Sequence, residues 1–462
     1  MKKLTLILML FTSIAYAQYP SQNVTLLSTW DDITVPAESY YGIRYNGIWG
    51  WTSPNGMEYA IIGATTGTYI INVSNPATPV VCDFVPGCRV DCIWRELKTY
   101  QNFLFMVSDD SPPNCLQVAD LSYLPDSVHV VHESDNIIET AHTIFIDDHY
   151  LYAASPRGGV VGNSASMAVY DIINPATPVL LRKLNQDDPS VGGVHDMLVK
   201  NDTVYASAGF DGLHIYLYDT GANVFTIYNS VTVYPGSGYN HSTAITTDSK
   251  TLVVADEVPT GLPLKTFDIT DFSNITIPTT FRSTQASTAT PHNPFMMKDN
   301  YCVVSYYQDG VQIFDVSNPA TPVRTGYIDT NPTDGLGLPN PSYSGSWGSY
   351  VEFPSGNIVA SDMQNGLFVI DPTMSLGITS AASNSNNLIV YPNPVQNFLQ
   401  LHFSTAAIYN VELMDITGKT IFSKVTNGSQ VVNFDMGNIN KGIYIIKASN
   451  DNTSFVKQVV KQ

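Results

Sequence analysis

Short apolar runs, each bounded by Asn, Asp, Gly or Pro, fill most of the first 372 residues and predict β-strands joined by tight turns. Seven of these runs end in Asp or Asn and pass into a turn, at Asn72, Asp120, Asp171, Asp219, Asp268, Asp315 and Asp371. Three of the turns are near copies: NVSNPATPV, DIINPATPV and DVSNPATPV. An Asp or Asn at a strand end accepts backbone N–H bonds, and two prolines fix φ and stop the strand from continuing. The anchors recur every 47 to 56 residues, the size of one four-stranded propeller blade.

A second series runs in phase with the first: Trp49, Trp94, His142, His195, His241, His292 and Trp347. Each opens a repeat and is followed by a strand-like segment. The sixth repeat supplies the template, with strands over 292–298, 301–307, 310–315 and 322–328. The seventh repeat stops at Asp371 without a fourth strand, and residues 24–30 (VTLLSTW) resemble one. The N-terminal segment is therefore predicted to pair with 366–371 and close the ring, which removes an exposed sheet edge. After Asp371 the chain becomes rich in small residues and Asn over 373–387, a linker composition. From 388 to 462, alternating strands with Gly turns predict a small β-sandwich. The expected fold class is all-β: a seven-bladed β-propeller over 18–372 followed by a C-terminal β-sandwich.

Lys2 and Lys3, the run LTLILMLF and the small-x-small step Ala15-Tyr16-Ala17 predict a cleaved signal peptide over 1–17, hence export. No later apolar run reaches the roughly 18 residues of a spanning helix, so no transmembrane segment is expected. Formal charge is −19. Setting aside the +2 of the signal and the +2 of 377–462 leaves −23 on the body. Such a field repels phosphate backbones and anionic lipid, which argues against nucleic acid as a partner and leaves cations and neutral or cationic ligands. A monomer is expected. Five cysteines remain after the signal, and Cys115 is predicted to pair with Cys88 or Cys92 in an oxidising compartment.

The C-terminal segment resembles the type A sorting domain of the type IX secretion system. It carries Tyr391-Pro392-Asn393-Pro394, an Asp415 to Lys419 turn, a Gly442 to Lys447 motif, and Lys457 with Lys461. That resemblance implies a Bacteroidota-type bacterium, the type IX (Por) secretion machinery as partner, and a secreted or outer-membrane cell-surface destination. The body resembles the LVIVD-repeat proteins called choice-of-anchor B, through YNGIWGW, EYAIIGATTGTYIINVSNPATPV, IWRELKTYQNFLFMVSD, AHTIFID and VSYYQDGVQIFDVSNPATPV. This second resemblance implies a propeller and a cell-surface destination but no activity.

In a propeller, the start of each first strand shares a face with the end of the antiparallel second strand. One axial mouth should therefore gather His142, His195, His241 and His292 with carboxylates that include Asp109, Asp211, Asp256, Glu257 and Asp362. Four imidazoles around one axis suit a divalent transition metal, with the carboxylates orienting the rings. Each His could equally be a junction residue hydrogen-bonded to its neighbour. Trp49, Trp94 and Trp347 fall on adjacent repeats after closure and suit stacking of a sugar or aromatic group, so a surface glycan or a protein is the expected ligand. The chain lacks a G-x-S-x-G elbow, an H-E-x-x-H helix and a phosphate-binding G-x-x-x-x-G-K-[ST] loop. The sequence therefore favours a secreted binding or scaffold module, with a metal-dependent oxidoreductase or hydrolase using the His ring as the alternative.

Overall fold

The computed structural model describes residues 19–284, 287–333, 338, 342–376, 388–403, 407–415, 419–450 and 454–462. The expected signal peptide and most of the expected linker lie outside them, as do residues 416–418 of the Asp415 turn. The chain divides into two compact units, Met1–Leu376 and Gly377–Gln462. Among the described residues, no helix is long and apolar enough to cross a membrane.

Among the described residues the first unit forms seven antiparallel sheets, five of them meanders of four sequential strands and two that also take in a strand from the N-terminal segment. Blade 1 contains Tyr45–Thr52, Glu58–Ala64, Gly67–Asn72 and Val80–Pro86. First strands of successive blades touch one another in a closed circuit, with Ser346–Tyr350 of blade 7 returning against Tyr45–Thr52 of blade 1. Second strands are almost wholly buried, while fourth strands such as Thr276–Phe281 alternate exposed and half-buried positions. The core therefore lies between neighbouring blades. Between blades 4 and 5, for example, Tyr205 and Ile215 pack with Val254 and Phe267. Blade 7 is completed by Thr25–Trp30, which pairs antiparallel with Gly366–Asp371 from Thr25 opposite Asp371 to Trp30 opposite Leu367. A short strand not foreseen in the sequence, Ser21–Gln22, adds a fifth member to blade 6 opposite Tyr327 and Ile328.

The repeated turns have one chemical solution. A carboxylate or amide oxygen at the end of each third strand accepts a backbone N–H two or three residues on: Asn72 from Ser74, Asp120 from Ser122, Asp171 from Ile173. Asp219, Asp268, Asp315 and Asp371 do the same, at 2.8–3.0 Å. In every blade the pairing of third and fourth strands is offset by a register shift, which increases the local twist.

The second unit pairs a three-stranded sheet (Leu388–Tyr391, Phe398–Phe403, Val431–Asp435) with a four-stranded one around Leu399, Leu401, Val411, Leu413, Phe434 and Ile446. Its terminal motifs are tied in: Asn393 Oδ1 accepts from Val460 N at 2.8 Å, and Asp415 Oδ1 from Lys419 N at 3.1 Å.

Candidate functional site

Six of the seven first strands deliver an aromatic or imidazole ring to one end of the axis. His142, His195 and His292 stand just before the strands Ile144–Asp147, Asp196–Lys200 and Asn293–Met296, while His241 sits at a bulge within Asn240–Ile245. Trp94 precedes Arg95–Tyr100, and Trp347 occupies the bulge of Ser346–Tyr350. Ring centroids follow one another at 4.1 Å from His142 to His195, 4.1 Å to His241, 4.3 Å to His292 and 4.8 Å to Trp347. Trp347 to Trp94 at 5.1 Å and Trp94 to His142 at 6.5 Å complete the circle.

The Nδ1 bonds fix the chemistry of these rings. His195 Nδ1 lies 3.2 Å from the carbonyl oxygen of His241, and His292 Nδ1 lies 2.6 Å from that of Trp347. His241 Nδ1 meets Ser242 Oγ at 3.1 Å, and that hydroxyl donates to the His292 carbonyl at 2.5 Å. His142 Nδ1 meets Asp109 Oδ2 at 2.5 Å. Carbonyl and carboxylate oxygens only accept, so Nδ1 must carry the proton in His142, His195 and His292. In the neutral ring this leaves Nε2 with a lone pair. The same logic holds for His241 through the Ser242 relay.

Burial, reinforced by repulsion from neighbouring imidazoles, holds His195 and His241 well below the usual histidine range. Burial also pushes His292 down to about 3. For His142 burial acts in the same direction, but the Asp109 carboxylate outweighs it and raises the ring. Glu257 reaches into this group with Oε2 3.9 Å from His241 Nε2. Its other oxygen accepts from the Tyr307 hydroxyl at 2.8 Å, and Tyr343 also hydrogen-bonds to it. Burial raises the Glu257 carboxyl despite these donors. One donor atom from each of His195, His241 and Glu257 lies within 4.8 Å of the others.

Above the rings opens a cavity of about 670 Å³, walled by Trp94, Trp347, Tyr239, Tyr343 and Phe210, with Asp109, Asp211 and Glu257 as its charged groups. Three of the expected mouth residues are elsewhere. Trp49 pairs with Ile61 deeper in blade 1, donates from Nε1 to Thr99 Oγ1 at 3.0 Å, and packs on Tyr350 with Lys98 Nζ over its ring. The cause is the blade 1 bulge, which places Asn46 and Gly47 at the register shift, where a Cβ on Gly47 would lie 2.2 Å from the Arg95 carbonyl oxygen. Asp256 is fully buried against Lys265 Nζ at 2.6 Å and the Tyr234 hydroxyl at 2.7 Å. Asp362, also fully buried, accepts from Thr330 Oγ1 and from the backbone of Gln364 and Asn365. Both serve the interior of their blades. Asp211, expected here from the end of a second strand, does line the cavity. Tyr239, Tyr343 and Phe210 were not foreseen, although their signal was available: tyrosines two and four residues before His241 and Trp347, and a phenylalanine beside Asp211.

Near the same face, Cys88 and Cys115 form a disulfide with Cα atoms 5.9 Å apart. Cys92 is a buried free thiol.

Fold and tail define an exported all-β propeller protein. Residues 389–462 match the secretion system C-terminal sorting domain family. This tail marks the chain as a type IX secretion cargo that is secreted and attached to the cell surface. No curated protein matches the chain. Among solved structures it is similar to PorZ, an essential surface component of the type IX secretion system of Porphyromonas gingivalis, at 12% identity and a TM-score of 0.48 over 94% of this chain. It spans 61% of that structure's length. It is also similar to the β-propeller domain of Cps50 (Swd1) from Myceliophteria thermophila, at 13% identity and a TM-score of 0.49, covering 71% of this chain and 96% of that one.

Proposed function

We propose that the propeller is a binding module displayed on the cell surface, and that the axial mouth on the His and Trp side is where it takes its ligand. The observation that carries this reading is the mouth's composition: flat aromatic walls from Trp94, Trp347 and Tyr239 beside the carboxylates of Asp109 and Glu257. Aromatic faces stack on the apolar faces of sugars, and carboxylates select hydroxyl donors or cationic groups. The acidic body favours neutral or cationic ligands over anionic ones. In this reading residues 1–17 are a signal peptide, 18–372 the mature propeller, 373–387 a linker and 388–462 the sorting module. The body then belongs with the LVIVD-repeat, choice-of-anchor B proteins on the strength of the repeat words quoted above.

Intrinsic tryptophan fluorescence tests the site, because Trp94 and Trp347 are part of its wall. Titration with a panel of neutral and amino-sugar oligosaccharides should give a saturable change for at least one member, and the binding of that member, followed by calorimetry, should be lost in W94A/W347A. Binding that survives unchanged in the double variant would move the ligand site away from the mouth.

A further inference from the structure

We propose that the axial mouth holds one first-row divalent transition-metal ion, ligated by His195 and His241 through Nε2 and by a Glu257 carboxylate oxygen. This goes beyond the binding reading and does not depend on which ligand the mouth receives.

The fold itself does not require histidine at the mouth. The same first-strand position carries His in blades 3 to 6 and Trp in blades 2 and 7. The first strands of blades 2 and 7, which carry Trp there, still pack against those of blades 3 and 1. Blade junctions therefore form without histidine at this position, and a ring of four needs another reason.

The second observation is the unused nitrogen. Nδ1 of every ring is committed to a carbonyl, a hydroxyl or a carboxylate, so Nε2 is the free donor. His241 and His292 are only 4% and 3% exposed, yet among the described residues no hydrogen bond to Nε2 of either is formed. Both rings wall the cavity. A buried imidazole anchored through Nδ1 to a backbone oxygen, with its Nε2 lone pair left over, is the arrangement that orients a metal-binding histidine.

The third observation is convergence. Donor atoms of His195, His241 and Glu257 fall within 4.8 Å of one another. Ligands 2.0–2.2 Å from a shared zinc-like ion stand roughly 3.5 Å apart in a tetrahedron, so ligation needs side-chain movements of about 1 Å. The Tyr307 hydroxyl on Glu257 Oε1 fixes that carboxylate and leaves Oε2 turned to His241. His142 and His292 flank the pair at ring distances of 4.1 and 4.3 Å, within reach as further nitrogen donors. Two or more imidazoles with one carboxylate select zinc, iron, cobalt, nickel or copper over calcium and magnesium, which prefer all-oxygen sites. The ion would face the aromatic cavity, where a coordination position is open to water or ligand.

The test is metal binding by the full secreted chain, expressed without a polyhistidine tag and stripped with chelator. Zn²⁺ and Co²⁺ are titrated, and stoichiometry is read by elemental analysis after dialysis. The expected result is one ion per chain, no comparable binding of Ca²⁺ or Mg²⁺, and at least about a 100-fold weaker affinity in H195N/H241N. Asparagine is chosen because its amide N–H replaces Nδ1–H in the inter-blade bond while deleting Nε2. E257Q, which keeps an acceptor for Tyr307, provides a second variant should the double one not fold, and its affinity should fall at least about tenfold. A stoichiometry far below one, or folded variants that bind Zn²⁺ and Co²⁺ as wild type does, would overturn the proposal.

Discussion

At the scale of single residues, the same side-chain type does unlike things according to what surrounds it. Glu257 and Asp256 are sequence neighbours at the end of one second strand, yet Glu257 meets the imidazoles while Asp256 is sealed against Lys265. Asp362 is a third case, enclosed by Thr330 and two backbone N–H groups, and burial raises its carboxyl to about 6 despite these donors. A folded state that holds its proton above the usual value gains stability at low pH. For Asp362 that contribution is complete below about pH 3.8 and is lost as pH rises through about 6. D362N keeps an acceptor for the Gln364 and Asn365 backbone and cannot ionise. Its unfolding free energy relative to wild type should therefore rise by up to about 3 kcal/mol between pH 3.5 and 7, measured by urea denaturation at each pH. A difference that stays flat across this range would show that Asp362 is not held protonated by its surroundings.

At the scale of elements, one strand closes the whole ring. Thr25–Trp30 comes from the far end of the chain, and Trp30 lies against Tyr45 and Tyr69 of blade 1 with centroids 6.0 and 4.9 Å away. It thus ties the seam both to its own sheet and to the next blade. W30A should cost about 2–4 kcal/mol, somewhat below the roughly 3–5 kcal/mol of a fully buried aromatic truncation because Trp30 is half-buried, and should speed proteolysis at the seam. Unchanged denaturation and cleavage would mean that closure rests on backbone pairing alone. This strand, the seven-fold repeat and the Asp or Asn turn caps were legible in the sequence because each is a local pattern repeated in phase. What stayed hidden depends on bulges and distant partners. A one-residue register shift at Asn46 and Gly47 takes the mouth end of this strand and leaves Trp49 deeper in the blade, and no periodicity encodes it. The burial of Asp256 depends on Lys265 one strand away, and the Nδ1 chain depends on carbonyls about 50 residues downstream. The ring of histidines was visible in the sequence; which nitrogen each ring leaves free was not.

At the scale of the molecule, the two units divide the work. The tail addresses the chain to the cell surface, and the propeller concentrates its unusual chemistry at one end of its axis. Deleting 388–462 should leave the propeller folded, since its core lies between its own blades, and should retain it in the periplasm; cell fractionation and blotting check this. Surface delivery of the truncated chain would separate localisation from the tail. The opposite end of the axis repeats a single turn solution, whereas the His and Trp end gathers side chains that the turns do not need. The most direct measurement of this asymmetry is anomalous diffraction from crystals of the secreted propeller soaked with Zn²⁺, recorded on both sides of the zinc edge. One strong peak is expected about 2 Å from Nε2 of His195 and His241. Peaks confined to outer histidines such as His129 and His149, with none at the axis, would contradict it.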